Sequence, residues 1–217
     1  MEIFLDTVNL DEIALYEDFI DGVTTNPSLL AGINSNAVRE LLQKICKSVS
    51  GPVSIEVISE KYEDMLVEGR EIAKINNNVC VKLPCTFDGL RVCRKLSSEG
   101  ISTNLTLCFS PTQALLAAAC GATYISPFAG RLDDVGQDGM SLVEETVDIF
   151  DVQGCETRVL VASVRNVQHV IQAALCGADA ITVPPAVLKQ CFIHPLTDKG
   201  LEIFKKDWKK KMQQTRA

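Results

Sequence analysis

The feature that most constrains the fold is an unbroken alternation of short apolar runs with amphipathic helical patterns. Runs rich in β-branched residues predict strands, and apolar residues spaced three and four positions apart predict helices. The predicted strands are Glu2–Leu5, Gly22–Thr25, Val53–Val57, Val79–Leu83, Ser102–Thr106, Thr123–Ser126, Arg158–Ala162 and Ala180–Val183. The predicted helices are Leu10–Ile20, Asn36–Val49, Tyr62–Ile75, Gly89–Ser98, Pro111–Cys120, Met140–Phe150, Val167–Cys176 and Leu201–Lys211. Strands that alternate with helices imply a parallel sheet with right-handed crossovers.

Eight such units predict a closed (β/α)8 barrel, or TIM barrel, with a C-terminal helix over 201–211. The segments Ala118–Ala122 and Ala174–Ala178 share the pattern Ala-x-Cys-Gly-Ala, which ends a helix on glycine and leads into a strand. This similarity favours one repeated unit. The alternative is a doubly wound sheet, but no Gly-x-Gly-x-x-Gly turn marks a dinucleotide site. We expect residues 1–217 to form a single barrel domain.

Charge and hydropathy exclude several classes of function. The net charge is −7 and no basic stripe is present, which argues against nucleic acid as a partner. No apolar run approaches the roughly 18 residues of a membrane span. The chain starts at Met1 without the features of a secretory signal, so we expect a cytoplasmic protein. The basic tail Lys205–Lys211 is best explained as a solvated helix end, although a membrane or nucleic-acid patch is an alternative.

The nine cysteines do not predict a disulfide scaffold or a metal site, because no two of them form a Cys-x-x-Cys pair. We therefore expect reduced, mostly buried thiols and no metal site, and nothing in the sequence implies an organic cofactor. Cys85 lies close to Lys82 in the sequence and could be a nucleophile. No pattern ties His169 or His194 to it, and a packing role is favoured.

The run Val79–Pro84 places a lysine near the end of a predicted buried strand, and Pro84 ends that strand because it lacks an N–H. Lysine is rarely buried unless it is paired or functional. A free amine there could attack a carbonyl and form a Schiff base. The alternative is an edge-strand lysine whose ammonium group reaches water.

Polar residues end seven of the eight predicted strands, where the active site of a (β/α)8 barrel lies. They are Asp6, Thr25, Asn26, Glu56, Lys82, Asn104, Thr106, Ser126 and Ser163. Asp6 or Ser163 alone could be a helix cap, but seven converging strand ends favour a site. A lysine with two carboxylates favours Schiff-base chemistry, in which a carboxylate moves the protons for dehydration and C–C cleavage.

Two arginines near the ends of strands six and seven indicate an anionic substrate. Arg131 follows strand six, and Ser163 and Arg165 precede a helix after strand seven, close to where such barrels bind phosphate. The alternative for Arg131 is a surface ion pair with Asp133 or Asp134. Together these residues favour a sugar phosphate.

At these residues the chain resembles the short transaldolases, a subfamily shared with the fructose-6-phosphate aldolases, and the resemblance covers essentially the whole chain. The matching motifs are Leu5-Asp6-Thr7, Gly22–Ser28, Val81–Pro84 with Thr86 and Gly89-Leu90, Thr103–Leu107, Ser126–Phe128 with Gly130-Arg131, and Ala162–Arg165. Cys85 departs from the family, which more often has a larger apolar residue at this position.

The resemblance implies roles for the strand-end residues. Lys82 would form the Schiff base, Asp6 would be the acid and base on the C4 hydroxyl, and Glu56 with Thr106 would hold the water that shuttles protons. The implied contacts to the dihydroxyacetone unit are Asn26, Asn104 and Ser126, and those to the phosphate are Arg131, Ser163 and Arg165. Thr25 and Phe128 complete the expected substrate-binding residues.

Two positions separate the activities in this subfamily. Members that release free dihydroxyacetone typically have glutamine at the position of Glu56 and tyrosine at that of Phe128, so this chain resembles the transaldolases. A tyrosine hydroxyl can help to protonate and hydrolyse an enamine, whereas phenylalanine cannot. The alternatives are a fructose-6-phosphate aldolase and a sugar-phosphate-binding barrel without turnover.

The implied reaction converts sedoheptulose 7-phosphate and glyceraldehyde 3-phosphate to erythrose 4-phosphate and fructose 6-phosphate, in the pentose phosphate pathway. The resemblance also implies a ring-like homo-oligomer, a pentamer or decamer, with C-terminal helices packed across subunits. Trp208 is a large apolar group on the predicted C-terminal helix and is a candidate anchor on a neighbouring subunit.

Overall fold

The computed structural model describes residues 1–214, and the side chains of Ser35 and Asn36 lie outside this description. Eight parallel strands pair in chain order, and the barrel closes where β1 pairs with β8. The strands are β1 Glu2–Asp6, β2 Gly22–Thr24, β3 Val53–Glu56, β4 Val79–Pro84, β5 Thr103–Cys108, β6 Tyr124–Pro127, β7 Arg158–Val161 and β8 Ala180–Val183. The predicted (β/α)8 barrel is confirmed, with every strand boundary within two residues of its predicted position.

Helices surround the barrel. They are α1 Leu10–Leu15, α2 Pro27–Leu30, α3 Ser35–Ser48, α4 Tyr62–Ala73, α5 Phe87–Ser98, α6 Pro111–Ala119, α7 Ala129–Asp133, α8 Gly139–Gln153, α9 Val167–Leu175, α10 Pro185–Cys191 and α11 Pro195–Gln214, with a 3-10 turn at Glu17–Phe19. The predicted helix over 201–211 lies within α11, which is longer at both ends. The last residues of the predicted domain, 215–217, lie outside the described residues. That residues 1–217 form a single domain stays a prediction.

Three of these helices, α2, α7 and α10, are not predicted by the sequence patterns. Each is seven residues or shorter, too short for a clear helical period. Proline is the first residue of α2 and of α10, where it fits because the first helical N–H needs no partner. The helix that follows β8 is therefore α10, and α11 is additional to the eight barrel helices.

Side chains on each strand alternate between the inside of the barrel and the helices. On β4, Val79, Val81 and Leu83 belong to the core between sheet and helices, whereas Cys80 belongs to a separate cluster inside the barrel. Because the side-chain period of a strand is two, Lys82 faces the same side as Cys80. The lysine therefore points into the barrel, above an apolar layer.

The end of β4 is fixed by a close approach of α5. The Thr86 hydroxyl accepts the Gly89 N–H at 3.1 Å and caps this helix. A Cβ atom on Gly89 would overlap the carbonyl oxygen of Pro84, so only glycine allows the two backbones to approach this closely. The strand end just beyond Lys82 is thus held against a helix.

The C-terminal helix α11 has no buried residue. Phe204, Trp208 and Met212 follow one another at four-residue spacing, and each is more than two-fifths exposed. Residues at this spacing share one face of a helix, so α11 presents an apolar stripe to its surroundings. None of the helices in residues 1–214 has the length and apolar character needed to cross a membrane.

Candidate active site

Lys82 lies inside the barrel and is only 6% exposed. Its Nζ lies 2.9 Å from Glu56 Oε2 and donates to the carbonyl oxygen of Thr25 at 3.2 Å. Glu56 and Lys82 are register partners on β3 and β4, so the pairing of the two strands sets the ion pair. The alternative interpretation, an edge-strand lysine that reaches water, is therefore wrong, because β4 pairs with β3 on one side and with β5 on the other.

Asp6 ends β1 and lies in the same barrel mouth. Its Oδ1 accepts hydrogen bonds from Thr24 Oγ1 at 3.1 Å and from Asn26 Nδ2 at 3.4 Å. Burial raises the pKa of Asp6, and the positive charge of Lys82 and the two hydrogen bonds only partly oppose this effect. A carboxyl whose protonated form is favoured in this way is better suited to exchange protons with a substrate than an ordinary aspartate.

Thr182, on β8, belongs to this network and was not predicted from the sequence. Its Oγ1 lies 2.6 Å from Thr24 Oγ1. The single hydroxyl hydrogen of Thr24 goes to Asp6, so Thr24 must accept a hydrogen bond from Thr182. The signal was available, because Thr182 is a polar residue near the end of the eighth strand.

A cavity of about 440 Å³ opens at the C-terminal ends of the strands. This volume is within the range of small-molecule sites. The predicted site residues that line it are Asp6, Asn26, Glu56, Lys82, Ser126, Phe128, Arg131, Ser163 and Arg165. The structure therefore brings together nine of the twelve predicted residues around one space.

The other three predicted residues, Thr25, Asn104 and Thr106, are fully buried and do not line the cavity. The Thr25 hydroxyl donates to the Ser54 carbonyl oxygen at 2.9 Å, so only its own carbonyl oxygen faces Lys82. Asn104 donates to Ser54 Oγ at 3.1 Å and accepts from Ser126 Oγ at 2.7 Å. Thr106 Oγ1 has no hydrogen-bond partner among residues 1–214. The predicted substrate contacts of Thr25 and Asn104 and the predicted water contact of Thr106 stay predictions.

Phe128 and Arg131 form one side of the cavity rim. The guanidinium carbon of Arg131 lies 5.3 Å from the centre of the Phe128 ring, a cation–π distance. Phe109 packs edge-on against the Phe128 ring, with ring centres 5.7 Å apart. No ion pair of Arg131 occurs within residues 1–214, so the alternative pairing with Asp133 or Asp134 is not observed.

Ser163 and Arg165 form the facing part of the rim. Ser163 has a positive φ of 61°, and its buried Oγ has no partner in the part of the chain that the structure describes. Strained backbone and unpaired buried polar groups both concentrate at functional sites. Arg165 pairs with Asp134 at 2.9 Å, and both side chains are largely exposed. The pair lowers the pKa of Asp134.

The cavity also contains residues that sequence reasoning missed. Leu107 lines it with a positive φ of 56°, next to a register shift between β5 and β6. Such irregularities redirect side chains at barrel rims, and the sequence pattern gives no sign of this one. The other unpredicted lining residues are Thr24, Pro27, Ser28, Leu29, Leu160, Ala162 and Thr182.

Cys85 does not have the surroundings of a nucleophile. It is buried beside Cys108, and this contact together with burial raises the pKa of the Cys85 thiol. His169 and His194 bond elsewhere, to Asp133 and to the Leu196 amide. All nine cysteines are free, and no group of three or more metal-ligating side chains forms within residues 1–214.

Comparison with known proteins agrees with this geometry. A family model described as Transaldolase/Fructose-6-phosphate aldolase matches residues 3–216. The chain belongs to this family. A "Probable transaldolase" of Thermodesulfovibrio yellowstonii is 57% identical over 212 residues, covering 97% of this chain and 99% of that protein. Another from Bartonella tribocorum is 53% identical, covering 97% of each chain. The resemblance seen in the motifs is confirmed, and the protein is an enzyme of the aldolase/transaldolase type.

A solved structure shares the fold at low sequence identity. It is a "putative fructose-1,6-biphosphate aldolase" from Coccidioides immitis, with a TM-score of 0.58 and 15% identity. The match covers 86% of this chain and 74% of that one. At this identity the likeness concerns the barrel alone.

Replacement of Asp6 by asparagine tests the effect of burial. The pKa of Asp6 is raised in the folded state. The contribution of this group to stability is therefore complete below the ordinary aspartate pKa of about 4, and it is lost as the pH rises through the folded-state pKa. At pH 7, above the ordinary aspartate pKa, burial of this group therefore opposes folding. We expect Asp6→Asn to raise the free energy of unfolding at pH 7 in urea titrations, and the gain to vanish near pH 3.

Asp148→Asn, on an exposed position of α8, is the matched control. We expect it to stay within about 0.5 kcal/mol of wild type at both pH values. An Asp6→Asn protein that is less stable than wild type at pH 7, or equally stabilised at pH 3 and pH 7, would contradict this explanation.

Proposed function

We propose that this protein is a transaldolase that transfers a dihydroxyacetone unit between sugar phosphates through a Schiff base on Lys82. The observation that carries the proposal is the buried Lys82–Glu56 pair at 2.9 Å, in a cavity that Asp6 also lines. The reaction is sedoheptulose 7-phosphate with glyceraldehyde 3-phosphate giving erythrose 4-phosphate and fructose 6-phosphate, in the pentose phosphate pathway.

The first step is imine formation at the C2 carbonyl of the ketose. The Lys82 ammonium must lose a proton before it can attack, and the Glu56 carboxylate lies at hydrogen-bond distance to take that proton. The same carboxyl returns a proton when the carbinolamine loses water. Thr106 Oγ1, buried without a partner in residues 1–214, would hold the water together with Glu56.

Asp6 carries out the proton transfer of C–C cleavage. Its carboxylate takes the proton of the C4 hydroxyl, the C3–C4 bond breaks, and the electron pair moves into the imine to give an enamine on Lys82. The aldose phosphate leaves. In the reverse direction, the enamine attacks the acceptor aldehyde and Asp6 returns the proton to the new hydroxyl. The raised pKa of Asp6 suits a group that works in both directions.

The three-carbon unit and the phosphate would be held at different depths. Asn26 and Ser126 line the cavity and, with Asn104 beneath Ser126, would contact the hydroxyls of the dihydroxyacetone unit. Arg131, Ser163 and Arg165 would bind the phosphate at the rim. Arg131 makes no direct ion pair among residues 1–214, and its charge acts on Asp134 only over a longer distance, which supports its availability for this role.

Phe128 favours transfer over release. Its ring lines the cavity and offers no hydroxyl to protonate the enamine. The three-carbon unit would therefore stay on Lys82 until an acceptor aldehyde arrives. An aldolase would release free dihydroxyacetone instead, and a binding barrel would turn over neither substrate.

A steady-state assay with fructose 6-phosphate distinguishes these three cases. We expect rapid formation of sedoheptulose 7-phosphate when erythrose 4-phosphate is present and little release of dihydroxyacetone without it. Lys82→Met should lower the exchange rate by more than about 10⁴-fold, because the nucleophile is lost. The control Lys74→Met changes an exposed lysine at the end of α4 and should keep the wild-type rate. Equal turnover with and without the acceptor would indicate the aldolase, and binding without turnover the binding barrel.

We propose in addition that the protein is a homo-oligomer in which α11 packs on a neighbouring subunit. The exposed apolar stripe of Phe204, Trp208 and Met212 supports a helix face that a neighbouring subunit covers. Sedimentation equilibrium should give a multiple of the 23.7 kDa chain mass. Phe204→Glu with Trp208→Glu should shift it to the monomer, whereas Lys206→Glu with Lys210→Glu, on the opposite face, should not. A monomeric wild type would refute the proposal.

A further inference from the structure

The buried histidine His169 has no part in the steps described so far. It lies in the first turn of α9 and is 6% exposed. Its Nδ1 accepts the backbone N–H of Arg165 at 3.3 Å, and its Nε2 lies 2.8 Å from Asp133 Oδ2. The imidazole therefore joins the loop after β7 to the end of α7.

The hydrogen bonds determine which nitrogen carries the hydrogen. The Arg165 amide can only donate, so Nδ1 must be without a hydrogen in this arrangement. The hydrogen is then on Nε2, which donates to the Asp133 carboxylate. The second oxygen of Asp133 accepts the Gly139 N–H at 2.9 Å. Each polar atom of the bridge has a defined partner, which fixes the orientation of the ring.

The two segments that this bridge joins carry the charged groups of the cavity rim. α7 contains Arg131, and the loop after β7 contains Ser163 and Arg165. They also touch directly, since a Cβ atom on Gly130 would overlap the carbonyl oxygen of Ser163. Close backbone contact sets their separation, and the histidine bridge sets the direction of the loop at Arg165.

A second contact between the same segments is the Arg165–Asp134 ion pair. About half of each side chain is exposed, at 45% for Arg165 and 54% for Asp134. Exposed ion pairs are weak, screened by salt and easily exchanged for a ligand anion. The buried bridge through His169 constrains the two segments more strongly, because breaking it leaves buried polar groups unpaired.

We propose that His169 is a positioning residue for phosphate binding, which acts with Asp133 to hold Arg165 and Ser163 in register with Arg131. The proposal rests on the function proposed above, because it takes these rim residues as the phosphate site. His169 lies outside the cavity lining and makes no contact with Lys82, Glu56 or Asp6. Its loss should weaken phosphate binding and leave the bond-making steps intact.

The test compares His169→Phe, Asp133→Ala, which removes both acceptor oxygens, and the double variant in the exchange assay. We expect the KM for fructose 6-phosphate and the inhibition constant of inorganic phosphate each to rise about tenfold, with kcat within about twofold of wild type. The double variant should show no further rise, because both changes break one bridge. His194→Phe replaces the other, exposed histidine, which lies just before α11, and should behave like wild type.

If His169→Phe does not fold, Asp133→Ala decides, since Asp133 is 36% exposed and its substitution removes the acceptor but leaves the imidazole in place. Wild-type KM and phosphate inhibition in this variant, or a fall in kcat with phosphate inhibition unchanged, would overturn the positioning role. Failure of the proposed function would differ, since the wild type itself would then show no exchange that depends on the acceptor aldehyde.

Discussion

The site depends on one buried ion pair inside a closed barrel. Lys82 and Glu56 are register partners on adjacent strands, and their charged ends meet at 2.9 Å where little water can reach them. A charge in such a place is tolerated only when it is paired and hydrogen-bonded, and removal of one partner leaves the other uncompensated. The apolar layer of Phe4, Cys80 and Tyr124 below the pair, and the helices outside the barrel, enclose the pair on the sides away from the cavity. The groups that the proposed mechanism needs are therefore placed by strand pairing rather than by flexible loops.

The two-residue period of the strands explains which polar residues reach the cavity. Asp6, Glu56 and Lys82 occupy inward positions at strand ends, and so does Thr182. Thr25 follows β2 on the outward side, and its hydroxyl bonds to the backbone of β3 while its carbonyl oxygen receives Lys82. The rim is different, because Arg131, Ser163 and Arg165 lie on a short helix and a loop. Their positions depend on contacts between elements, including the buried bridge through His169.

Sequence patterns were sufficient to predict the barrel and the candidate catalytic residues Asp6, Glu56 and Lys82 at its strand ends. Eight apolar runs gave the strands, and a lysine with two carboxylates at strand ends indicated the chemistry. Other features could not be predicted because they depend on tertiary packing. The bridge from Asp133 through His169 to Arg165 joins residues of three segments, and Arg165 rather than Arg131 pairs with Asp134. The positive φ of Leu107 follows from a register shift between strands, which has no local signal. Helix α10 was missed because Pro184-Pro185 is typical of a turn, although a proline also fits the first helical position.

Reductive trapping tests whether Lys82 is the covalent attachment point of the substrate. The wild-type protein is incubated with fructose 6-phosphate, reduced with borohydride, digested and analysed by peptide mass spectrometry. We expect a reduced imine of the six-carbon ketose on the peptide that contains Val81-Lys82-Leu83, together with a three-carbon adduct wherever the enamine has taken up a proton. The three-carbon share should fall when erythrose 4-phosphate is added before the reductant. An unmodified Lys82 in a sample that still exchanges sugar phosphates, or an adduct on another lysine, would contradict this account.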